Sequence, residues 1–428
     1  MTYSEAIQFL YDLRLFGAKF GLENTFQLAA LAGKPQDRLR FIHVAGTNGK
    51  GSTCAMLESI YHAAGLRVGL FTSPHLVSFR ERIQVNRQLI SEGDVVRLVR
   101  ELQPLFQQFP DGHHPTFFEV VTVMALKFFA EQNCDLVIWE TGLGGRLDAT
   151  NIVTPLASVI TNIQFDHQQW LGNTLGKIAA EKGGIIKPGV PVITTTDEPE
   201  ALKVIEEIAR KQNAPLEIVK TNRLAGTLAP PLLGEHQNLN AALALATVEI
   251  LQKQIPVNRE AIRAGLQNVD WPGRMQLVTL PNRRRLLLDG AHNVAGGKAL
   301  RGVLEKCFPA PKRTLVLGVL QDKDWPHICE MLAPLAAQIF TVPVSSERST
   351  HPDELAAACR AANPSAEIGT CHSLAEALEK IAKDDFVVIT GSLYLVGEAL
   401  ELLGLSPASQ DERSLNEWMI TGSVPAHR

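Results

Sequence analysis

The chain has 428 residues, of which 45% are hydrophobic and 20% are charged, and its 41 basic and 45 acidic side chains give a formal net charge of −4. Length and average composition predict roughly two or three globular domains and exclude disordered, collagen-like and coiled-coil classes. The near-neutral charge excludes a nucleic-acid binder that depends on global positive charge, and we expect no nucleic-acid partner.

The N-terminal residues and the cysteines bear on the cellular compartment. Glu5 and Asp12 interrupt the first segment, which lacks the basic end and unbroken apolar stretch of a secretory signal. No apolar run reaches the roughly 18 residues needed to cross a bilayer, and the six cysteines form no CxxC pair. We therefore expect a cytoplasmic protein with free thiols and no membrane partner.

Short β-branched runs alternate with helical stretches through the first part of the chain. Strands are predicted at 41–45, 67–71, 136–140, 157–161 and 190–194, with helices between them at 52–64, 119–131 and 175–182. This alternation is typical of an α/β domain with a doubly wound parallel sheet of the P-loop type.

A second α/β series follows the turn residues Pro272 and Gly273, which suit a domain hinge. Its strands are predicted near 285–288, 313–318, 338–342 and 386–390. We therefore divide the chain into an N-terminal domain, 1–272, and a smaller Rossmann-like C-terminal domain, 273–428. The proline-rich segment 224–234 is expected to be a surface connection, and the last ~20 residues are expected to be partly loose.

The strongest local signal is a glycine-rich turn between a predicted strand and a predicted helix, Gly46-Thr-Asn-Gly-Lys-Gly-Ser52. Backbone N–H groups in such a turn, with the positive end of the helix, form a cradle for phosphate that Lys50 can complete. The spacing departs from the strict P-loop, because only Thr47 and Asn48 separate the first glycine from Gly-Lys. A structural turn beside a solvated lysine is the alternative.

Glu140 ends an apolar predicted strand at the sheet edge where open α/β folds bind ligands, and its carboxylate suits Mg²⁺. An ordinary loop contact is the alternative for this residue.

The run Gly142-Leu-Gly-Gly-Arg-Leu-Asp-Ala-Thr-Asn151 follows, and its glycines permit close approach of a ligand. It lacks the full GxGxxG spacing, which disfavours a dinucleotide-binding site for NAD.

The segments 43–52 and 142–151 resemble the two signatures of folylpolyglutamate synthases and dihydrofolate synthases in the Mur ligase superfamily. Further matches run in family order through 72–76, 165–167 and 288–293, so the resemblance covers nearly the whole chain. It implies a monomeric ATP-dependent amide ligase. Such an enzyme joins L-glutamate to dihydropteroate and to tetrahydrofolates through an acyl phosphate.

The resemblance also implies roles for individual residues. The nucleotide would contact Thr47, Asn48, Gly49, Lys50, Gly51, Ser52, Asn240, Arg274 and Asp289. The divalent metal, expected to be Mg²⁺, would be bound by Ser73, Glu140 and His167, and a monovalent cation would be a second cofactor. The catalytic side chains would be Lys50, Lys182 and His292, with Lys182 carbamylated. Without the resemblance, His167 would be an ordinary loop histidine and Lys182 a solvated lysine.

The pteroate site is expected at Thr116, Phe117, Phe118, Glu119, Leu147, Asp148 and Ala149. An aromatic face near a carboxylate suits a flat heterocycle with a polar rim, although both phenylalanines could equally be core residues. The pattern at 116–119 resembles bifunctional enzymes that accept dihydropteroate as well as tetrahydrofolate. A monofunctional folylpolyglutamate synthase and a non-catalytic nucleotide-binding module are the alternatives.

Arg80 or Arg82 is expected either to contact a glutamyl tail or to form a surface salt bridge.

Overall fold

The computed structural model describes residues 1–16, 21–110, 113–220, 229–281, 283–309, 313–381, 386–406 and 412–416. Its helices are α1 Tyr3–Asp12, α2 Glu23–Leu31, α3 Lys50–Ala63, α4 Glu92–Leu102, α5 Phe117–Glu131, α6 Gln168–Leu171, α7 Leu175–Gly183, α8 Pro199–Lys211, α9 Glu235–Ile250, α10 Arg259–Gln267, α11 Val294–Cys307, α12 Trp325–Leu332, α13 Pro352–Ala362, α14 Leu374–Lys380 and α15 Leu393–Leu402. Its strands are β1 Phe41–Ala45, β2 Val68–Phe71, β3 Ile83–Val85, β4 Gln88–Leu89, β5 Leu136–Glu140, β6 Ala157–Ile160, β7 Val192–Thr194, β8 Leu216–Ile218, β9 Gln276–Thr279, β10 Arg285–Asp289, β11 Thr314–Leu317, β12 Gln338–Thr341, β13 Glu367–Thr370 and β14 Phe386–Thr390. Within these ranges no helix is long and apolar enough to span a membrane.

The first sheet has the strand order β4-β3-β2-β5-β1-β6-β7-β8. The strands from β2 to β8 in this order are parallel, while β3 and β4 form an antiparallel edge. Strand β1 lies at the centre and is buried at every position. Complete burial is expected of a parallel strand that is covered by helices on both faces. The predicted doubly wound α/β architecture is confirmed.

The second sheet has the order β13-β12-β11-β14-β10-β9, in which β9 is antiparallel to β10. The sequence predicted its four inner strands and missed β9 and β13, which lie at the two edges and are partly exposed. The first sheet ends at Ile218 and the second begins at Gln276. The division of the chain at residue 272 stays a prediction.

The end of the described chain returns to the side of the first sheet. Residues Glu412–Asn416 form a 3₁₀ turn in which Glu412, Leu415 and Asn416 are buried. Protein contacts hold these three side chains, and the expectation that the last ~20 residues are partly loose stays a prediction. Most of that predicted segment, and residues 224–228 of the predicted connection, lie outside the described residues.

An aromatic cluster fixes the end of β5, where Glu140 lies. The ring centroid of Trp139 is 4.4 Å from that of Phe71 and 5.7 Å from that of Phe41. The indole Nε1 donates a hydrogen bond to the carbonyl oxygen of Thr150 at 2.9 Å. Packing on one side and this bond on the other hold the strand end in one position.

The helix that follows the glycine-rich turn, α3, is packed closely against α10. A Cβ at Gly265 in α10 would lie 2.4 Å from Cα of Ile60 and 2.8 Å from the carbonyl oxygen of Ser59. These atoms belong to the backbone of α3, which cannot rotate away as a side chain can. The lack of a side chain at Gly265 therefore sets how closely the two helices approach.

Gly265→Ala should lower the free energy of unfolding by about 1–3 kcal/mol, although alanine is the better helix former. Gly302 in α11 is the matched control, because a Cβ there would meet nothing within 4 Å. Gly302→Ala should raise stability by up to about 1 kcal/mol. Urea unfolding followed by circular dichroism measures both, and changes of the same sign would contradict the packing argument.

Candidate active site

The loop between β1 and α3 is held in shape by the segment after β6. Thr47 and Asn48 donate their backbone N–H groups to the carbonyl oxygen and Oδ1 of Asn162, each at 2.8 Å. Gly49 has a φ of 86°, and a Cβ at this position would lie 2.4 Å from Oδ1 of Asn240. Both the backbone conformation and the lack of space therefore require a glycine at position 49. Since the N–H groups of Thr47 and Asn48 are used in the loop itself, an anion would meet those in the first turn of α3.

The first turn of α3 contains Lys50, Gly51 and Ser52, and its N-terminus has no side-chain cap. The first N–H groups of a helix lack acceptors within the helix and carry its positive dipole end, which together suit an anion. Helix α9 supports this turn from behind. Gln237 donates to Oγ of Ser52 at 3.3 Å, and its own Oε1 accepts from Asn240 at 3.0 Å.

Two lysines converge on the backbone of the loop. The Nζ of Lys50 donates to the carbonyl oxygens of Gly46 and Thr47 at 3.1 and 3.2 Å. The Nζ of Lys182, on α7, donates to the same Gly46 oxygen at 2.7 Å. Burial is the main cause, and the charge of Lys50 the second, of a pKa of Lys182 that is lowered to about 7. A large fraction of Lys182 is therefore an uncharged amine near neutral pH.

The three predicted metal-binding residues face the same space. Glu140 is buried at the end of β5, and its Oε2 accepts the backbone N–H of Ser73 at 2.9 Å. Burial raises the pKa of Glu140, and the charge of Lys50 and the bond from Ser73 oppose that change. Burial lowers the pKa of His167 to about 3, so its imidazole is neutral near neutral pH and its ring nitrogens are open to a metal.

Glu140, Ser73 and His167 fit a hard cation whose remaining coordination positions are filled by a bound substrate and water. Within the described ranges, no three His, Cys, Asp or Glu side chains form a group able to hold a metal. Mg²⁺ commonly takes only one or two carboxylates from the protein and completes its shell with phosphate oxygens and water. The carboxylate of Glu140 and the hydroxyl of Ser73 match that preference better than the nitrogen of His167.

Asp166 joins the two sides of the site. The Nζ of Lys323 is 2.7 Å from its Oδ1, and Asn293 donates to its Oδ2 at 3.1 Å. The Nε2 of His292 is 3.6 Å from Oδ2. Burial alone would raise the pKa of Asp166, but His292, His167 and Lys323 hold it well below its usual range. Asp166 and Asn293 lie within the sequence motifs, whereas no motif contains Lys323.

The second sheet adds a buried carboxylate and a buried guanidinium. Asp289, at the end of β10, accepts the backbone N–H groups of Met275 at 2.9 Å and Ala291 at 3.0 Å. Burial raises the pKa of Asp289, opposed mainly by Met275 and Arg274. Burial lowers the pKa of Arg274, opposed by the charges of Asp289 and Glu140. Arg274 therefore lies in the field of carboxylates from both sheets.

The start of α5 offers an aromatic surface. Phe117 lies with its ring centroid 6.4 Å from that of Phe79, and Phe118 lies 6.0 Å from Phe71. Thr116 caps the helix, since its Oγ1 accepts from the N–H of Glu119, and the carboxylate of Glu119 accepts the N–H of Thr116 at 2.7 Å. Thr116 and Glu119 therefore serve the helix end.

Four of the predicted pteroate residues do not line the cavity: Glu119, Leu147, Asp148 and Ala149. Local hydrogen bonds explain this for the two acids. Glu119 closes the cap of α5, and the Oδ2 of Asp148 accepts the N–H of Leu143 at 2.7 Å. The Oδ1 of Asp148 also accepts the hydroxyl and N–H of Thr150. Asp148 consequently holds the backbone of the glycine-rich loop in place through these hydrogen bonds and does not face the cavity.

All other residues predicted to bind the nucleotide, the metal or the pteroate, or to act in catalysis, line one cavity of about 380 Å³. Arg82 also lines it, whereas Arg80 forms an ion pair with Glu92 at 3.7 Å. The cavity lies at the carboxyl ends of the first sheet and opens to the second. The predicted residues on its wall are Thr47, Asn48, Gly49, Lys50, Gly51, Ser52, Ser73, Thr116, Phe117, Phe118, Glu140, His167, Lys182, Asn240, Arg274, Asp289 and His292.

Comparisons with known proteins agree with this geometry. Residues 44–215 match the family model of the Mur ligase middle domain, and residues 273–393 match that of the Mur ligase glutamate ligase domain. The dihydrofolate synthase/folylpolyglutamate synthase of Bacillus subtilis is 36% identical over 423 residues, covering 93% of this chain and 98% of the relative.

Two solved structures are similar along almost their whole length. Folylpolyglutamate synthase from Thermotoga maritima has a TM-score of 0.82 and 34% identity, covering 96% of this chain and 98% of the other. The Escherichia coli FolC complex with DHPP and ADP has a TM-score of 0.83 and 30% identity, covering 95% and 98%. The chain therefore belongs to the dihydrofolate synthase and folylpolyglutamate synthase family of the Mur ligase superfamily, and it is an ATP-dependent ligase.

Proposed function

We propose that the enzyme joins L-glutamate to dihydropteroate, forming dihydrofolate, and to tetrahydrofolates, extending their glutamate chains. The observation that carries the proposal is that residues of both parts of the chain line one cavity. Its lining includes Lys50, Lys182, Glu140 and Phe118 on the side of the first sheet and Arg274 on the side of the second. Family membership supports the same substrates. The Escherichia coli structure contains DHPP and ADP, a pterin-side ligand and a nucleotide product.

The chemistry requires an activated carboxylate. At neutral pH a carboxylate and an amine form a salt, because the carboxylate oxygen is a poor leaving group. In the proposed reaction a substrate carboxylate oxygen attacks the γ-phosphorus of ATP, and ADP leaves. The uncharged amine of glutamate then attacks the carbonyl carbon of the acyl phosphate, inorganic phosphate leaves, and the amine loses a proton. Positioning and charge stabilisation supply most of the catalysis in such transfers.

Lys50 and the first turn of α3 would stabilise the negative charge of the transferring phosphoryl group. Glu140 and Ser73, with His167 nearby, would hold Mg²⁺, which would supply positive charge against the negative phosphates when bound. Lys182 would contribute as a carbamate, because its uncharged amine reacts with CO₂. A carbamate turns a cation into an anionic oxygen ligand.

L-glutamate would enter from the second sheet. Lys323, Arg348 and His292 line that side of the cavity, so cationic and hydrogen-bonding groups face an amino acid with two carboxylates. Arg274 follows the predicted hinge and would reach the nucleotide phosphates when the domains close, which supports the division at residue 272.

The remaining proposals concern partners and location. The formal net charge of −4 supports a protein without a nucleic-acid partner. We propose a cytoplasmic monomer without a membrane partner, with Mg²⁺ and a monovalent cation as cofactors. Its free cysteines are compatible with a reducing compartment.

Lys50→Ala should reduce kcat/KM for ATP by about 100-fold or more, since a preorganised charge at the phosphoryl group is lost. Lys211→Ala, on an exposed part of α8, is the control and should retain activity. Glutamate-dependent ADP release measures both, with circular dichroism to verify folding. Normal turnover in Lys50→Ala would refute the phosphate role of this lysine.

A substrate panel tests the dual activity. Dihydropteroate and tetrahydrofolate should each support ADP release that depends on ATP and L-glutamate, and mass spectrometry should detect one added glutamyl unit. Turnover of tetrahydrofolate alone would favour the monofunctional alternative. ATP binding without any turnover would favour the non-catalytic module.

Lys182→Ala should abolish most activity, and a small carboxylate such as acetate should restore part of it by replacing the carbamate oxygens. Because the pKa of Lys182 is lowered to about 7, its free amine becomes more abundant as pH rises from 6 to 8. Activation by bicarbonate and the ¹³C carbamate signal should increase over that range. Lys177→Ala, at an exposed position of α7, is the matched control. Wild-type activity unaffected by removal of CO₂ would argue against carbamylation.

A further inference from the structure

Arg82 is a buried cation on the wall of the cavity near the aromatic surface of α5. Its side chain is 3% exposed, and its guanidinium carbon lies 5.4 Å from the ring centroid of Phe117. Burial lowers the pKa of Arg82 to about 10, which leaves it charged at neutral pH. None of the carboxylates in the described chain forms an ion pair with Arg82. The charges of Glu81 and Glu140 favour the charged form of Arg82 without contacting it. A substrate carboxylate in direct contact would offset more of the cost of burying this cation.

The C-terminal turn holds this guanidinium with neutral groups. Arg82 donates from Nη2 to Oδ1 of Asn416 at 2.5 Å and from Nε to Nδ1 of His75 at 2.8 Å. His75 in turn donates from Nε2 to the carbonyl oxygen of Glu412 at 2.9 Å. Asn416 donates to the carbonyl oxygen of His75, also at 2.9 Å. Because both acceptors are neutral, these hydrogen bonds orient the guanidinium of Arg82 without pairing it with a carboxylate.

The turn at Glu412–Asn416 is hydrogen-bonded to the loop after β2. The carboxylate of Glu412 accepts the backbone N–H of Phe79 at 2.6 Å and the hydroxyl of Ser78 at 3.0 Å. Leu415 is 2% exposed and lines the cavity next to Asn416. A segment that follows the second sheet in the chain thus completes the wall of a pocket built on the first.

We propose that Glu412–Asn416 is part of the substrate pocket, and that Asn416 is a positioning residue that aims Arg82 at a carboxylate of the pterin substrate. This inference rests on the proposed function, because it needs a carboxylated pterin. It assigns the C-terminal turn a role in binding one substrate, distinct from the nucleotide and glutamate sides of the cavity.

Asn416→Leu should raise the KM for dihydropteroate and tetrahydrofolate by about tenfold, the order expected when a hydrogen bond to a charged group is lost. With tetrahydrofolate, which has a second carboxylate besides the reacting one, the KM values for ATP and L-glutamate and the kcat should change by less than about twofold. Leu405→Ser, at an exposed side chain before the turn, is the control and should match wild type. An unchanged KM for both pterins in Asn416→Leu would overturn the proposal.

A double-mutant cycle shows whether Asn416 acts through Arg82. Arg82→Gln should also raise the KM for pterins, and adding Asn416→Leu should produce little further increase, because the two residues serve one contact. Effects that multiply independently would overturn the positioning role.

Asn416→Asp provides a test that does not depend on the stability of the leucine variant. It keeps an acceptor for Arg82, adds a negative charge and removes the donor to the carbonyl oxygen of His75, so the KM for pterins should rise. Circular dichroism verifies that the variant is folded. Unchanged pterin KM in a folded Asn416→Asp enzyme would show a structural role only. If wild type itself used no pterin substrate, the proposed function would fail; if wild type were active and the variants normal, this inference alone would fail.

Discussion

Two lysine side chains share a single backbone carbonyl at the centre of this enzyme. Lys50 and Lys182 both donate to the oxygen of Gly46, and burial with mutual repulsion lowers the pKa of Lys182. This concentration of positive charge is stable only where the loop is held rigidly and anions are near. The bonds from the loop to Asn162 and the close contact of Gly49 with Asn240 supply the rigidity.

The architecture follows from that constraint. Parallel strands deliver Gly46 and Glu140 to the same edge of the first sheet, and α3 directs its N-terminus toward the same space. The second sheet contributes the complementary carboxylate Asp289 and the guanidinium of Arg274. A chain with a formal net charge of −4 can therefore present a locally cationic cleft, because its basic groups are gathered where the phosphates must lie.

The buried central strands and the glycine-rich loop could be predicted because both leave strong local patterns. Strands β4, β8, β9 and β13 could not, since they are short, partly exposed edge strands with weak hydrophobic patterns. Asp148 illustrates a different limit: its motif is recognisable, yet its oxygens are used by backbone N–H groups. The contact of Lys323 with Asp166 joins residues 157 positions apart, so no local pattern announces it.

The ion pair between Asp166 and Lys323 connects the two halves of the cavity, and both side chains are at most 10% exposed. When the halves separate, water solvates both charges and offsets most of the Coulomb energy lost. Such a pair contributes little to how tightly the halves hold together. The hydrogen bond between Lys323 and Asp166 is directional, so it favours one alignment of the two halves over others.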